Sequence, residues 1–94
     1  QSTKVKGLFI TPTQVNKIIQ NFKEISKVRL IIDRKDMLDF VTLQCESFIR
    51  NSQLEEKIKD FFRSEFKLNV HIQLVKKLTI PNDGIVIEDK RIHN

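Results

Sequence analysis

Hydrophobic positions recur along the chain with two different periods, which predict helices and strands in turn. Spacings of three and four residues predict one amphipathic helix over residues 12–25 and another from Ser52 to Asn69, where a left-handed residue is expected to end it. Alternation of apolar and polar positions predicts strands at residues 4–10, 27–33, 38–48 and 70–75. Because each helix has one apolar stripe, both should pack on the same face of one sheet. The predicted fold class is α+β, a ferredoxin-like βαββαβ arrangement in which a four-stranded antiparallel sheet carries two helices on one face.

Both helices begin at recognisable capping signals. Thr11 lies directly before Pro12 and three positions before Gln14, which predicts a capping box with the proline at the first helical position. Ser52 and Glu55 have the same spacing and predict a second capping box. The first strand is therefore expected to turn sharply into a capped helix.

Composition narrows the classes of function. The 94 residues, of which 39% are hydrophobic, fit one domain with a modest core, and no apolar run is long enough to span a bilayer. The formal net charge of +5 favours anionic partners, such as nucleic acid, phosphorylated cofactors or an acidic face of another domain. Cys45 is the only cysteine, so no internal disulfide can form, and a reducing, cytoplasmic location without membrane contact is expected.

Few catalytic templates fit the sequence. It contains no usefully placed pair of carboxylates, no nucleophile motif, no glycine-rich phosphate loop and no Cys/His spacing for a metal site. RNA-recognition domains stack bases on exposed aromatic residues of their central strands, and residues 38–48 lack that pattern. Cys45 is interpreted as a core residue and His71 as a surface residue. Nucleic-acid binding is therefore the least favoured hypothesis.

Residues 4–15, with the sequence KVKGLFITPTQV, carry a family resemblance. They resemble the start of the C-terminal domain of phenylacetate–CoA ligase and related adenylate-forming enzymes. In that family a basic strand with a glycine is followed by an apolar triplet and then by a Pro-Ser/Thr-Gln helix start. The similarity continues through the βαββαβ order to about residue 81. The resemblance implies that residues 1–94 form a single C-terminal lid domain, a fragment of a longer chain.

The resemblance also implies a reaction and its partners. In that family an N-terminal adenylation domain binds ATP and a carboxylic acid and forms an acyl-adenylate, and the small domain then rotates to help transfer the acyl group to CoA. The implied enzyme is an ATP-dependent, AMP-forming acid–CoA ligase, with Mg²⁺ held through the missing domain. Lys4, Lys6 and Gly7 are the implied cofactor-binding residues. The fragment alone is not expected to be active.

The tail of the sequence departs from the family pattern. The family carries a lysine directly after a glycine in a P-R-x-x-G-K-type segment, whereas residues 81–85 read PNDGI. Ile85 thus stands where an ammonium would stabilise charge on the reacting carboxylate and phosphate. Lys90 is the candidate catalytic substitute if the tail is shifted. Weakened adenylation, a different task and a different alignment of the tail all remain open.

An alternative hypothesis keeps the fold and omits the catalysis. The chain would then be a free-standing ferredoxin-like module that binds a small ligand or a partner protein, for example by pairing through a sheet edge. This hypothesis predicts self-association in solution, whereas the ligase hypothesis predicts a large ATP- and acid-binding domain upstream of Gln1.

Overall fold

The computed structural model describes residues 2–91. Within this range the chain forms a two-stranded hairpin, a four-stranded main sheet and three helical segments. In chain order the elements are β1 (Thr3–Val5), β2 (Leu8–Ile10), α1 (Pro12–Val15), α2 (Lys17–Asn21), β3 (Ile25–Lys35), β4 (Leu38–Ser47), α3 (Ser52–Phe66), β5 (His71–Val75) and β6 (Ile87–Asp89). The α+β class and the four-stranded main sheet are confirmed.

The main sheet is mixed, with the strand order β5-β4-β3-β6. The central strands β3 and β4 are antiparallel and are joined by a turn at Asp36 and Met37, whose φ angles are both positive. The outer strands run parallel to their neighbours, β5 to β4 and β6 to β3. The expectation of an antiparallel sheet is therefore wrong. Helix α3 connects β4 to β5 as a crossover, and a crossover returns the chain in its original direction.

Residues 4–10 do not form one strand of the main sheet, as the alternation predicted. The chain reverses at Lys6 and Gly7, whose φ angles are 50° and 80°, and β1 pairs with β2 in a separate hairpin. Strand β6, near the end of the chain, takes the sheet edge instead. The alternation was misleading because the two short strands of the hairpin show the same alternation of apolar and polar residues that one longer strand would show.

The first helical region is shorter than predicted. A turn at Asn16 separates α1 from α2, and Ile25, assigned to the helix by periodicity, begins β3. Phe22 is extended, and its ring packs edge-on against Phe61 of α3 with the ring centroids 5.6 Å apart. Ile25 is buried and Phe22 is half-buried, as the helical period predicted, but both residues lie outside the helix.

One of the two predicted capping boxes is confirmed. The Thr11 hydroxyl accepts a bond from the Gln14 N–H at 3.3 Å, and the Gln14 side-chain oxygen accepts from the Thr11 N–H at 2.9 Å. The second box is wrong by one position, because Asn51 rather than Ser52 caps α3 and accepts from the Leu54 N–H at 2.8 Å.

The C-terminal end of α3 also comes earlier than predicted. The left-handed residue that follows the helix is Lys67, with a φ angle of 57°, and not Asn69. Its N–H donates to the carbonyl of Arg63, which closes the last turn.

One hydrophobic core joins the helical segments to the main sheet. Its fully buried side chains include Phe62, Ile10, Ile18, Leu30, Ile32, Leu43 and Ile58. Cys45 lies in the same core, and burial raises the pKa of its thiol to about 12. The thiol is therefore an unreactive core group, as its parity on the strand indicated. Across residues 2–91, no helix combines the length and the hydrophobicity that crossing a membrane requires.

Candidate functional site

The β1–β2 hairpin carries three of the predicted site residues. Lys4, Lys6 and Gly7 are all exposed, and the last two form the tip of the hairpin. A Cβ atom built on Gly7 would meet no atom within 4 Å, so the glycine serves the left-handed backbone and not close packing within this chain. The hairpin tip is therefore accessible to a second body.

Lys6 also borders a groove of about 470 Å³. The groove lies between the hairpin, the first residues of β4, helix α3 and the start of β5, and it is lined by Lys6, Asp39, Phe40, Val41, Lys59, Arg63, Asn69, Val70 and His71. We call it the basic groove, because its lining holds more cationic than anionic side chains. Lys59 and Arg63 reach it from α3, and sequence reasoning assigned neither of them to a site.

Lys90 lies elsewhere, in a separate depression of about 290 Å³ that Asp33, Arg34 and Arg91 also line. Its N–H donates to the carbonyl of Ile32 at 2.7 Å, which fixes its backbone at the end of β6, while its side chain is exposed. The structure therefore does not place Lys90 in the basic groove with Lys6.

Arg91 attaches the hairpin to the main sheet. Its side chain is only 7% exposed, and its guanidinium donates to the carboxylates of Asp39 at 3.0 Å and Asp89 at 2.7 Å. The same group donates to the Thr3 hydroxyl at 3.2 Å and to the Lys4 carbonyl at 2.9 Å. The hydrogen bonds that Asp89 accepts, chiefly from the Arg91 side chain, hold the pKa of its carboxyl well below the usual value. One side chain thus joins β1, β4 and β6.

A second guanidinium, that of Arg29 in β3, holds the loop before β6. Its side chain is 6% exposed and donates to the carbonyls of Ile85 at 3.1 Å and Pro81 at 3.3 Å. It also pairs with the carboxylates of Asp83 and, at 3.5 Å, Glu88. The pKa of Asp83 is lowered, first by the hydrogen bond from the Ile85 N–H and also by the charge of Arg29.

Glu46 in β4 holds the same loop before β6 through its carboxylate. It is 4% exposed, and its two oxygens accept from the N–H groups of Leu78 at 3.1 Å and Ile80 at 2.8 Å. Arg29 and Glu46 lie on the sheet face opposite the helices, as the strand register shows. Together they hold residues 76–86, which we call the tail loop, over that polar face.

The tail loop contains the position where the resemblance expected a lysine. Ile85 is half-buried there, and its N–H and carbonyl are bonded to Asp83 and Arg29. The ammonium that reaches the loop is that of Lys27, which donates to the Pro81 carbonyl at 3.0 Å and to the Asn82 side chain at 3.4 Å.

Sequence reasoning missed the residues that hold these loops in place. Arg29 and Glu46 occupy the polar positions of alternating strands, where a charged residue is most often solvated. Arg91 ends an acidic and basic run, Glu88-Asp89-Lys90-Arg91, that has the composition of an exposed tail. The local pattern contains no signal of their burial, because most of their partners lie 32 to 88 positions away in the chain.

Solved structures share the fold over nearly the whole chain. A domain of phenylacetate-coenzyme A ligase from Bacteroides vulgatus matches with a TM-score of 0.90 and 22% identity, covering 100% of this chain and 96% of that one. 2-Hydroxyisobutyryl-CoA ligase, in complex with 2-HIB-AMP and CoA in the thioesterification state, matches with a TM-score of 0.82 and 14% identity over 97% of this chain. Fatty acyl-adenylate ligases from E. coli and L. pneumophila match with a TM-score of 0.70 and 21% identity over 86% of this chain. At these identities the likeness shows the fold.

The chains of two of these structures are much longer than this one. The chain spans 21% of the 2-hydroxyisobutyryl-CoA ligase chain and 15% of the fatty acyl-adenylate ligase chain. No curated protein matches the sequence. The sequence model of the family described as AMP-binding enzyme C-terminal domain matches residues 7–92, a range that includes Gly7 of the hairpin tip, the lining of the basic groove except Lys6, and the tail loop. The chain belongs to the family of AMP-binding enzyme C-terminal domains.

Proposed function

We propose that residues 1–94 are the C-terminal lid domain of an acid–CoA ligase. The full enzyme would activate a carboxylic acid with ATP as an acyl-adenylate and then transfer the acyl group to CoA. The family match over residues 7–92 carries this proposal. It is supported by the structural likeness to a CoA ligase that holds both an acyl-adenylate and CoA. The N-terminal adenylation domain of the same chain is the proposed partner, and it would select the acid.

The hairpin tip is the proposed contact with the adenylate or CoA. Lys6 and Gly7 project from the fold at a reverse turn, and Lys4 places a further ammonium on the adjacent arm. Arg91 joins the base of this hairpin to β4 and β6, which ties the hairpin to the sheet. A rigid presentation of cations matters because groups already in position stabilise developing phosphate charge without further reorganisation.

Lys90 is proposed as the cation that assists adenylation. Ile85 has no charge to offer, and the ammonium of Lys27 is bonded to the tail loop itself. Lys90 is exposed and held at the end of β6, so its side chain can reach a second domain.

For Mg²⁺ the described residues offer no fit: within residues 2–91, no three His, Cys, Asp or Glu side chains are grouped closely enough to hold a metal ion. We therefore assign no metal step to this chain.

The test is the enzyme that contains this domain together with its N-terminal domain. Pyrophosphate release reports adenylation, and thioester formation from a supplied acyl-adenylate reports the second half-reaction. Lys90→Ala should lower the first rate with little effect on the second, whereas Lys6→Gln should lower the second. Lys57→Gln is the matched control, because Lys57 is an exposed lysine of α3 that lines neither cavity.

Two results would contradict the proposal. One is a full-length chain without an ATP- and acid-binding domain. The other is that Lys57→Gln lowers the adenylation and thioester-formation rates as much as Lys90→Ala and Lys6→Gln do.

A binding module without catalysis is the second candidate function. The observation that favours it is Ile85, because an apolar residue in the lysine position removes the charge on which adenylation in the family depends. Such a module would bind its ligand or partner at a sheet edge, which the short strands β5 and β6 provide. Sedimentation that shows a stable monomer, together with measurable ligase activity of the longer enzyme, would exclude it.

A further inference from the structure

We propose that one end of the main sheet docks on the surface of a membrane that contains anionic lipids. This end consists of residues 48–50, which follow β4, and residues 76–78, which follow β5, and we call it the apolar–basic end. The two segments are neighbours because the last residues of β4 and β5 pair with each other. The proposal is independent of the proposed ligase function, since the apolar–basic end includes neither the hairpin nor Lys90.

Three large apolar side chains are exposed at this end. Leu78 is 88% exposed, Phe48 is 78% exposed and Ile49 is 49% exposed. Single apolar residues on a surface are ordinary, but these three are grouped at the ends of two adjacent strands. A group of this kind indicates a contact surface.

The backbone holds Leu78 outward in a strained conformation. Its φ angle is 71°, in the left-handed region that a bulky side chain such as leucine rarely adopts. Glu46 fixes this conformation, because its carboxylate is buried and accepts from the N–H groups of Leu78 at 3.1 Å and Ile80 at 2.8 Å. Strain that persists at an exposed apolar residue is typical of a functional position.

Cations accompany the apolar side chains. Arg50, Lys76 and Lys77 are exposed, and neither segment of the apolar–basic end contains an acidic residue. Across residues 2–91, the structure shows no ion pair for any of these three cations. The Lys77 ammonium lies 5.7 Å from the centroid of the Phe48 ring, so positive charge and apolar surface lie side by side. The charge is therefore complementary to an anionic surface.

A lipid surface fits these features better than a second protein does. Lysine is depleted in protein–protein interfaces, whereas segments at a membrane surface combine lysine and arginine with phenylalanine and leucine. Lysine side chains can keep their ammonium groups among the lipid headgroups while their stems follow the apolar residues inward. A side chain as protruding as Leu78 needs a complementary pocket in a protein, but a bilayer accommodates it without one.

Docking at this end leaves the rest of the domain accessible. The start of β4, which lines the basic groove, lies at the opposite end of the antiparallel β3–β4 pair. Membrane contact was not expected from the sequence, because no apolar run is long enough to span a bilayer. Contact with the bilayer surface requires no spanning segment, and two short loops can support weak, reversible binding.

The experiment is co-sedimentation of the 94-residue chain with lipid vesicles. The chain has its own hydrophobic core, and a similar domain of nearly the same length has been crystallised, so it can be studied alone. Vesicles of equal parts phosphatidylcholine and phosphatidylglycerol should bind it. Vesicles of phosphatidylcholine alone should bind it about a hundredfold more weakly, the loss expected when three cations have no anionic lipid to meet.

Apolar variants test whether side chains enter the bilayer. Phe48→Ser and Leu78→Gly should each weaken binding to the anionic vesicles about tenfold, because each removes apolar surface that would leave water. Glycine also relieves the strain at position 78, so weaker binding by this variant cannot be attributed to loss of the fold. Leu38→Ser is the matched control, because Leu38 is 70% exposed at the opposite end of β4, and it should leave binding unchanged.

Charge variants test whether the position of the cations matters. Lys77→Gln should weaken binding about fivefold, the contribution of one lysine near an anionic surface. Lys35→Gln removes the same charge from an exposed residue at the opposite end of the β3–β4 pair, and it should leave binding almost unchanged. Circular dichroism of each variant shows whether it remains folded.

Three results would overturn the inference. The first is a chain that does not bind the anionic vesicles at low salt. The second is an equal loss in the variants and in their matched controls, which would reduce the binding to general charge attraction. The third is binding by the 94-residue chain that the longer enzyme lacks, which would show that the N-terminal domain covers this end. Ligase assays of the longer enzyme test the proposed function separately, because none of these variants changes a residue assigned to it.

Discussion

The hairpin with its following helix and the tail loop with its following strand differ in what organises their backbones, although a buried arginine joins each of them to the main sheet. Residues 3–15 are organised locally, by a left-handed turn at Lys6 and Gly7 and by the capping box between Thr11 and Gln14. The tail loop, residues 76–86, contains no helix or strand and depends on the buried charges of Arg29 and Glu46, which lie on β3 and β4. The hairpin is therefore expected to keep its turn and its capping box if one contact with the sheet is lost, whereas the tail loop depends on its contacts with Arg29, Glu46 and Lys27.

The comparison also bears on the proposed chemistry. The resemblance in sequence is carried by the locally organised region, and the departure, at Ile85, lies in the region that is anchored at long range. The tail loop, including Ile85, is held by β3, because Arg29 and Lys27 both donate to backbone carbonyls of this loop.

Loss of the Arg29 side chain should have the largest effect. Arg29→Ala leaves the carbonyls of Pro81 and Ile85 and the Asp83 carboxylate without their guanidinium partner, and we expect the free energy of unfolding to fall by about 2 to 3 kcal/mol. Urea denaturation measures this change. Arg34→Ala is the control, because the Arg34 side chain is half exposed and its ion pair should contribute less than about 1 kcal/mol. Equal losses in the two variants would contradict the role assigned to Arg29.

Acid should weaken the attachment of the hairpin next. The folded-state pKa of Asp89 is lowered, chiefly by hydrogen bonds from Arg91. Its contribution to stability is therefore complete above the unfolded pKa of about 3.9 and is lost as the pH falls towards the folded value. Denaturation curves between neutral and strongly acid pH should show this loss, and Asp89→Asn should flatten it. A pH dependence that Asp89→Asn leaves unchanged would exclude this source.

The capping box should have a smaller and local effect. Thr11→Ala removes the hydroxyl that accepts from the Gln14 N–H, and we expect a loss of about 1 kcal/mol. Thr13→Ala is the matched control, since Thr13 is exposed within α1 and has no capping role. Thermal or urea denaturation of both variants decides the matter, and equal stability of the two would argue against the box.

The smallest effect is expected at the hairpin tip. Gly7→Ala places a Cβ on a residue with a φ angle of 80° but in open space, so only backbone strain of about 1 kcal/mol should result. Gly7→Asn should cost less, because asparagine tolerates the left-handed region. A loss well above this value in a stability measurement would show that the tip is packed against something in the folded chain.

The amino-acid sequence by itself determined the elements whose causes are local. The period of the apolar residues located both helical regions and the central strands, and the spacing of Thr11, Pro12 and Gln14 located a helix start to the residue. Residues 4–15 carried the family resemblance, and the match over residues 7–92 confirms it. The resemblance also implied that Lys6 is a cofactor-binding residue, which stays a prediction.

Only the tertiary structure decided how these elements meet. It showed that residues 4–10 form a hairpin, that β6 completes the main sheet, and that Lys59 and Arg63 join Lys6 around one groove while Lys90 lies apart. The physical reason is that strand direction, the burial of Arg29, Glu46 and Arg91, and the convergence of cations depend on contacts between residues far apart in the chain. Local periodicity indicates which face of a helix or strand is buried, but it does not indicate which other elements lie next to that helix or strand.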